Sequence, residues 1–177
     1  MTEQIHICQA ACNDIMIDDL QPGHWEKVKA IYLEGIATGE ATFETEAPSW
    51  EAWDAAHLAC ARLVAREGEK IRGWAALSPV SKRRAYAGVA EVSVYVAQDH
   101  RNAGLGTALL KRLIAESERH GLWTLQAVVF PENKATIALH RRCGFQEVGR
   151  RERIGKLNGV WRDTVLLERR SQSVGIE

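Results

Sequence analysis

Three short stretches carry the residue types from which a reaction could be built: AEVSVYV at 90–96, RNAGLG at 101–106 and ENKATIALHRRCGF at 132–145. In the first, Val92, Val94 and Val96 alternate with Glu91, Ser93 and Tyr95, so the two sets face opposite ways on a strand. A carboxylate placed there is a candidate general base, able to take a proton directly or through water. The plainer alternative is an exposed strand-end carboxylate. The third stretch contains His140, seven residues after Asn133 and four before Gly144. Its ordinary pKa near neutrality suits proton transfer; the alternative is a helix histidine packed against a sheet. A KRR triplet ahead of Tyr86 contributes Arg83 and Arg84. Their planar forks either donate paired hydrogen bonds to an oxyanion or serve as solvated loop charges.

The second stretch reads Arg101-x-x-Gly104-x-Gly106 and leads into a long amphipathic run. A helix N-terminus exposes unpaired backbone N–H groups and carries partial positive charge; together these hold phosphate. Glycine allows positive φ and close approach to a ligand, and Arg101 adds a cation. The spacing is no dinucleotide fingerprint, because Leu109 stands where a third glycine is needed. It is no nucleoside-triphosphate loop either, because Thr107 and Ala108 follow Gly106.

The elements that must position these groups follow from periodicity. Val28, Ile31, Tyr32 and Gly35 form one stripe of a helix over 25–35, and Ser49 caps a second helix carrying Trp50, Trp53 and Leu58. RLVARE and IRGWAALS read as strands joined by the turn EGEK, and AEVSVYVA as the clearest strand. A helix over 104–120 presents Leu105, Leu109 and Leu113 on one face; WTLQAVVF is a strand, and a short helix ends near Gly144. FQEVGRRERI and VWRDTVLLERR complete six strands and four helices. The order predicts an α/β (α+β) protein, a mixed central sheet flanked by helices.

Composition narrows the function classes. The 177 residues favour one domain, and 46% hydrophobic with 26% charged residues suits an ordinary core. Lys plus Arg and Asp plus Glu are 23 each, with no basic track for nucleic acid. No apolar run approaches the roughly 20 residues that span a bilayer. The N-terminus lacks the pattern of a secretory signal, so Cys8, Cys12, Cys60 and Cys143 are expected to be reduced cytosolic thiols. No complete ligand set accompanies Cys8 and Cys12, so no metal is expected. The six tryptophans are too scattered in sequence to suggest a stacking platform. Trp161 reads as apolar ballast at a strand start and Asp163 as a residue fixing the adjacent loop. GRRERIGK reads as a surface or dimer-edge strand, with a cofactor phosphate a lesser alternative.

The strand SVYV, the RNAGLG loop and Asn133 with the helix to Cys143-Gly144-Phe145 together resemble the GNAT superfamily of acetyltransferases. The resemblance runs from about Met16 to Arg169. In more detail, ATFETEAP, RRAY, AEVSVYV, RNAGLG, ENKATIALHRRCGF and GVWRDTVLLER resemble the phosphinothricin acetyltransferase branch. GEATFETEAPSW, WAALSPVS, WTLQAVVFPEN and GRRERIG are similar to its arsinothricin N-acetyltransferases. Many relatives have Arg-Gly or Gln-Arg where this chain has Arg101-Asn102; Asn tolerates positive φ, so the loop is expected to form. The resemblance treats residues 1–15 as an extension, with Met16 a possible start, residues 16–170 as the catalytic domain and 171–177 as a tail.

The resemblance implies a cytoplasmic, homodimeric enzyme that moves an acetyl group from acetyl-CoA to the α-amine of an amino acid, without metal. Arg101, Asn102, Ala103, Gly104, Leu105, Gly106 and Thr107 would hold the pyrophosphate. The backbone of Val94, Tyr95 and Val96, splayed from its neighbour strand, would bind the pantetheine arm, with Asn133 close by. Glu91 would be the base and His140 an acid toward the leaving thiolate or a second base. Arg83, the closer match to the family's arginine, or Arg84 would meet the substrate's anionic end. Phe43 walls the pocket or is core, Thr42 or Thr45 supplies a hydroxyl, and Ser93 lies on the Glu91 face. Phosphinothricin or arsinothricin would be the substrate and detoxification the role. Methionine sulfone or sulfoximine acetylation, protein acetylation and a non-catalytic acyl-CoA sensor are the other readings.

Overall fold

The computed structural model describes residues 15–177; the expected 1–15 extension, but for Ile15, and the Cys8 and Cys12 thiols lie outside the described residues. Seven strands form one sheet in the order β1-β2-β3-β4-β5-β7-β6. These are β1 (Ile15–Asp19), β2 (Leu63–Glu67), β3 (Lys70–Pro79), β4 (Val89–Val96), β5 (Thr124–Val129), β6 (Gln146–Leu157) and β7 (Val160–Arg170). Only the β4–β5 pair is parallel; the other five are antiparallel. The helices are α1 (Trp25–Ala37), α2 (Trp50–Ala56), α3 (Leu105–Arg119) and α4 (Lys134–Arg142).

The expected mixed sheet is present with one more strand than the six expected. β1 is five residues of IMIDD, too short and too acidic at its end to show a period. Its state is set by its partner: it pairs with β2 from Ile15↔Glu67 to Asp19↔Leu63, and Arg66 bonds Asp18 at 2.6 Å. α2 is shorter than expected. His57 is already extended, and Leu58 lies outside the helix with its N–H on the Leu77 carbonyl at 2.8 Å. Arg62 explains the early stop, donating to the carbonyl oxygens of Asp54, His57 and Leu58 that the helix end leaves open. Ser49 caps α2 as expected, accepting the Ala52 N–H.

The period-2 alternation divides the sheet's side chains between two cores. Val92, Val94 and Val96 pack with Leu105, Leu109, Leu113, Leu125, Ala127 and Val129 on the α3–α4 side. On the α1–α2 side Trp25, Trp53, Trp74, Tyr32 and Val28 form the second core, against which Tyr95 and Trp50 pack. Four of the six tryptophans therefore do converge, with adjacent centroids 5.5–5.8 Å apart, which linear spacing did not foretell. The cluster is mainly interior: Trp53 and Trp74 are each 1% exposed, so it is packing and no surface platform.

Candidate active site

β4 and β5 part company at Glu91. They pair from Val89↔Thr124 only as far as Glu91↔Gln126. Beyond it β4 stays bonded to β3 as far as Val96↔Gly73, and β5 stays bonded to β7 as far as Val129↔Val165. A wedge opens between them, and among the described residues the edge of β4 over Val92–Val96 that faces it has no strand partner. α3 follows β4 and α4 follows β5, so both helix N-termini are delivered to the mouth of the wedge.

The glycine loop has the backbone its sequence requires. Asn102 lies at φ 64° and Gly104, which caps α3, at φ 82°; Asn102 thus takes up positive φ as expected. Arg101 Nε donates to the Val96 carbonyl at 3.3 Å, tying the loop to the end of β4. The Ala108 N–H reaches the Gly104 carbonyl at 3.1 Å, so the N–H groups ahead of it on α3 have no intrahelical acceptor. Gly106 lets α4 close in: a Cβ there would stand 3.4 Å from Leu139 and 3.6 Å from Val96. Loop, strand end and both helices converge as a phosphate-ended cofactor demands.

Asn133 caps α4, accepting the Thr136 N–H at 3.1 Å, and its amide donates to the Glu40 carbonyl at 3.2 Å. It joins α4 to the 38–48 segment, a tie that its motif did not reveal. Phe43, on that segment, meets Phe130 edge-on with centroids 4.8 Å apart, and its ring would contact a Cβ on Gly155 at 2.9 Å. Arg162 locks the same corner. It donates to the Gly39 carbonyl at 3.1 Å and to Glu132 at 3.2 Å, with its guanidinium 4.2 Å from the Phe130 centroid.

Glu91 stands in a row of register partners across four strands: Ser78, Glu91, Gln126 and Glu168. The residue as a whole is exposed, yet the walls around the carboxyl displace enough water to raise its pKa above the usual carboxylate range. The Arg151 charge acts on it in the opposite sense. Arg151 is half-buried on β6, opposite Thr164, and its Nε donates to that buried hydroxyl at 3.2 Å. The basic run GRRERIG advertised charge. The register shift between Arg151 and Gly155 sets Arg151, and not Arg153, opposite Thr164, which sequence does not disclose.

His140 is 3% exposed, edge-on to Phe145 with centroids 4.9 Å apart. Its Nδ1 lies 2.8 Å from the Thr136 carbonyl. A carbonyl can only accept, so Nδ1 carries the hydrogen; burial lowers the imidazole's pKa. The neutral ring leaves Nε2 as an acceptor, and that atom is buried without a partner among the described residues. Glu91 and His140 occupy opposite faces of the sheet: Glu91 shares the face of Tyr95, while Phe145 beside His140 belongs to the α3–α4 core. The wedge is where the two faces communicate.

The remaining candidates fall on the Glu91 side or in solvent. Ser93 is partly buried opposite Ala76 on that face. Tyr95 stacks on Trp74 at 4.7 Å and interacts through its hydroxyl with Tyr32 and Thr42; burial pushes its pKa well up. Its side chain is thus committed to packing, leaving the backbone for a ligand. Arg83 and Arg84 are exposed in the β3–β4 connection, Arg83 with its guanidinium 5.9 Å from the Tyr86 centroid. Asp163 lies within β7 and braces the irregular middle of β6 in place of the expected loop, accepting the Arg153 N–H at 2.8 Å, whereas Trp161 is 54% exposed and contacts Lys156. Among the described residues no group of His, Cys, Asp and Glu could hold a metal, and no helix is long and apolar enough to cross a membrane.

A mixed sheet whose central parallel pair opens between two helix N-termini, with a carboxylate at the apex, is an α/β architecture suited to hold a phosphate-ended acyl carrier beside a base. Residues 25–145 match the acetyltransferase (GNAT) family, and the chain belongs to it. It is 34% identical to a phosphinothricin N-acetyltransferase of Alcaligenes faecalis, over 93% of this chain and 85% of that one. It is 32% identical to an L-methionine sulfoximine/L-methionine sulfone acetyltransferase of Pseudomonas paraeruginosa, over 90% and 93%. A GNAT superfamily phosphinothricin acetyltransferase from Sinorhizobium meliloti, solved in complex with AcCoA, superimposes with a TM-score of 0.80 at 28% identity, covering 92% of this chain and 91% of that one.

Proposed function

We propose that this protein is an acetyl-CoA-dependent N-acetyltransferase acting on the α-amine of amino acids, with glutamate analogues such as phosphinothricin or arsinothricin as substrates and detoxification as its role. The observation that carries the reading is Glu91 at the apex of the wedge, with its pKa raised by burial. A base of raised pKa is better matched to an ammonium proton than an ordinary surface carboxylate. The unpaired N–H groups of Leu105, Gly106 and Thr107, the Asn102–Gly104 backbone and Arg101 fit a pyrophosphate. The free edge of Val94, Tyr95 and Val96 fits a pantetheine arm. Acetyl-CoA supplies the acetyl group as a thioester.

The chain's own residues do the rest. Glu91 holds the amine and takes its proton, directly or through water. A backbone N–H near Val94 is a candidate donor to the thioester carbonyl, where charge develops. His140, neutral with a free Nε2, is suited to accept a hydrogen bond or proton and less suited to give one. Phe43 walls the amine side, Ser93 lines the floor, and Arg83 or Arg84 meets the distal oxyanion. A homodimer in the cytoplasm belongs to the same reading.

The exposure of Arg83, together with the 32% identical sulfoximine/sulfone relative, favours a second acceptor class: amino acids whose distal group carries no second full negative charge. Thiol release from acetyl-CoA with phosphinothricin, arsinothricin, methionine sulfone, glutamate and a basic peptide separates the readings. Either glutamate analogue well above glutamate supports the proposal. Methionine sulfone ahead of both supports the second class. CoA binding with no thiol release from any amine overturns both in favour of a sensor.

A further inference from the structure

Arg151 is a half-buried guanidinium with unusual company. Its Nε is fixed on Thr164 Oγ1 at 3.2 Å, and Thr164 is itself 1% exposed. Among the described residues no carboxylate lies within ion-pair distance of it. Its neighbours on β6 and β7 show the usual alternative: Arg150 is paired with Asp163 at 2.6 Å, and Arg162 with Glu132 at 3.2 Å. A guanidinium held by one neutral hydroxyl keeps its remaining donors for something else, and partial burial strengthens what they bind.

The position says what that is. Arg151 lies on the Glu91 face, since register carries the face from Glu91 to Gln126 on β5, across β7, to Thr164 and Arg151. In an α-amino acid a single carbon separates the amine from the carboxylate. Whatever positions the amine for Glu91 therefore brings the α-carboxylate close to Glu91 as well. An anion there needs a cation, and register puts Arg162 and Arg170 of β7 on this face beside Arg151; Arg162 is paired with Glu132 and Arg170 is bonded to the Trp123 and Val174 carbonyls, so among these three Arg151 is the guanidinium with donors to spare.

We propose that Arg151, oriented by Thr164, is the docking residue for the acceptor's α-carboxylate, and that it restricts the enzyme to α-amino acids over simple amines. This inference rests on the amino-acid reading above. Arg151 has a second effect through its charge, since it lowers the pKa of Glu91 against the burial that raises it. With the substrate carboxylate bound, that charge is shared, and the Glu91 carboxylate becomes more basic as the amine arrives.

The test is binding of phosphinothricin and of its α-carboxamide to the CoA-loaded protein by calorimetry, with the wild type, Arg151→Gln and Arg151→Lys. The expected result is that the wild type binds the acid more tightly than the amide, by about 10- to 100-fold, the size of a hydrogen bond to a charged group. Arg151→Gln should equalise the two ligands, and Arg151→Lys should restore part of the preference. In turnover, the acidic limb of kcat/KM should move to higher pH in Arg151→Gln. A wild-type protein that binds acid and amide alike, or an Arg151→Gln variant that keeps the preference at an unchanged melting temperature, overturns the inference and leaves Arg151 a brace for Thr164. Preferential binding lost in Arg151→Gln without turnover would uphold the site while refuting the transferase reading.

Discussion

As the proposed base, Glu91 would serve function at a cost to the fold. Burial raises its pKa, so the native state holds the proton more tightly than the unfolded chain does. Stability from this group is present below the ordinary carboxylate value and is lost as pH rises through the raised one. At neutral pH the ionised carboxylate carries a cost, kept small by its solvent exposure, that Glu91→Gln removes. That variant is expected to lose about a hundred- to ten-thousand-fold in kcat, the usual range for a general base. Its melting temperature at pH 7 should equal or exceed the wild type's, with the difference shrinking toward pH 4, where Glu91 is protonated. Wild-type kcat/KM should fall on the acid side with a midpoint above the ordinary glutamate value. Unchanged turnover in Glu91→Gln would remove the residue from the chemistry.

At the scale of elements, the loop ahead of α3 is the proposed cofactor end of the site. Gly104 has φ 82°, and a Cβ there meets nothing within 4 Å, so a substitution is opposed by backbone strain alone. Gly104→Ala should cost about 1–3 kcal/mol, with a fall in Tm of about 2–4 °C for each kcal/mol, and should weaken acetyl-CoA binding as the loop relaxes. Gly104→Asn should be milder, because asparagine enters the left-handed region more readily, as Asn102 does. Calorimetric titration of both variants with acetyl-CoA checks this; affinity equal to wild type in Gly104→Ala would place the pyrophosphate elsewhere. The loop was readable in sequence because glycine spacing before an amphipathic helix is local chemistry, and β4 because alternation is local too. What was not readable is what register and tertiary pairing decide. β1 acquires its strand only from β2, α2 stops where Arg62 reaches its carbonyls, and Arg151 stands opposite Thr164 in place of Arg153 through an irregularity in the β6–β7 pairing. His140 was legible as a position, whereas its tautomer required the Thr136 carbonyl.

Across the whole molecule, the helices leave the Glu91 face unevenly covered. α3 and α4 pack against one side, whereas α1 and α2 build their core with β2 and β3. On the Glu91 face, the 38–48 segment supplies cover toward β5 and the β6–β7 hairpin. It is held from three directions: by Thr42 on the tyrosine pair, by Asn133 at Glu40 and by Arg162 at Gly39. The last tie carries the most, because the same guanidinium also bonds Glu132 and faces the Phe130 ring against which Phe43 packs. Arg162→Ala removes all of these at once without opening either main core. It should therefore loosen one segment and spare the global fold. Amide exchange over 38–48 should speed up by about 10- to 100-fold, the equivalent of losing a hydrogen bond to a charged group, while exchange in α3 and β5 stays unchanged. The KM for the amino acid should rise, since Phe43, the proposed wall of the amine side, is no longer fixed. Acetyl-CoA affinity should hold, because the Asn102–Thr107 loop takes no support from Arg162. If KM for both substrates rose together, the 38–48 segment would be organising the whole wedge rather than its amine side.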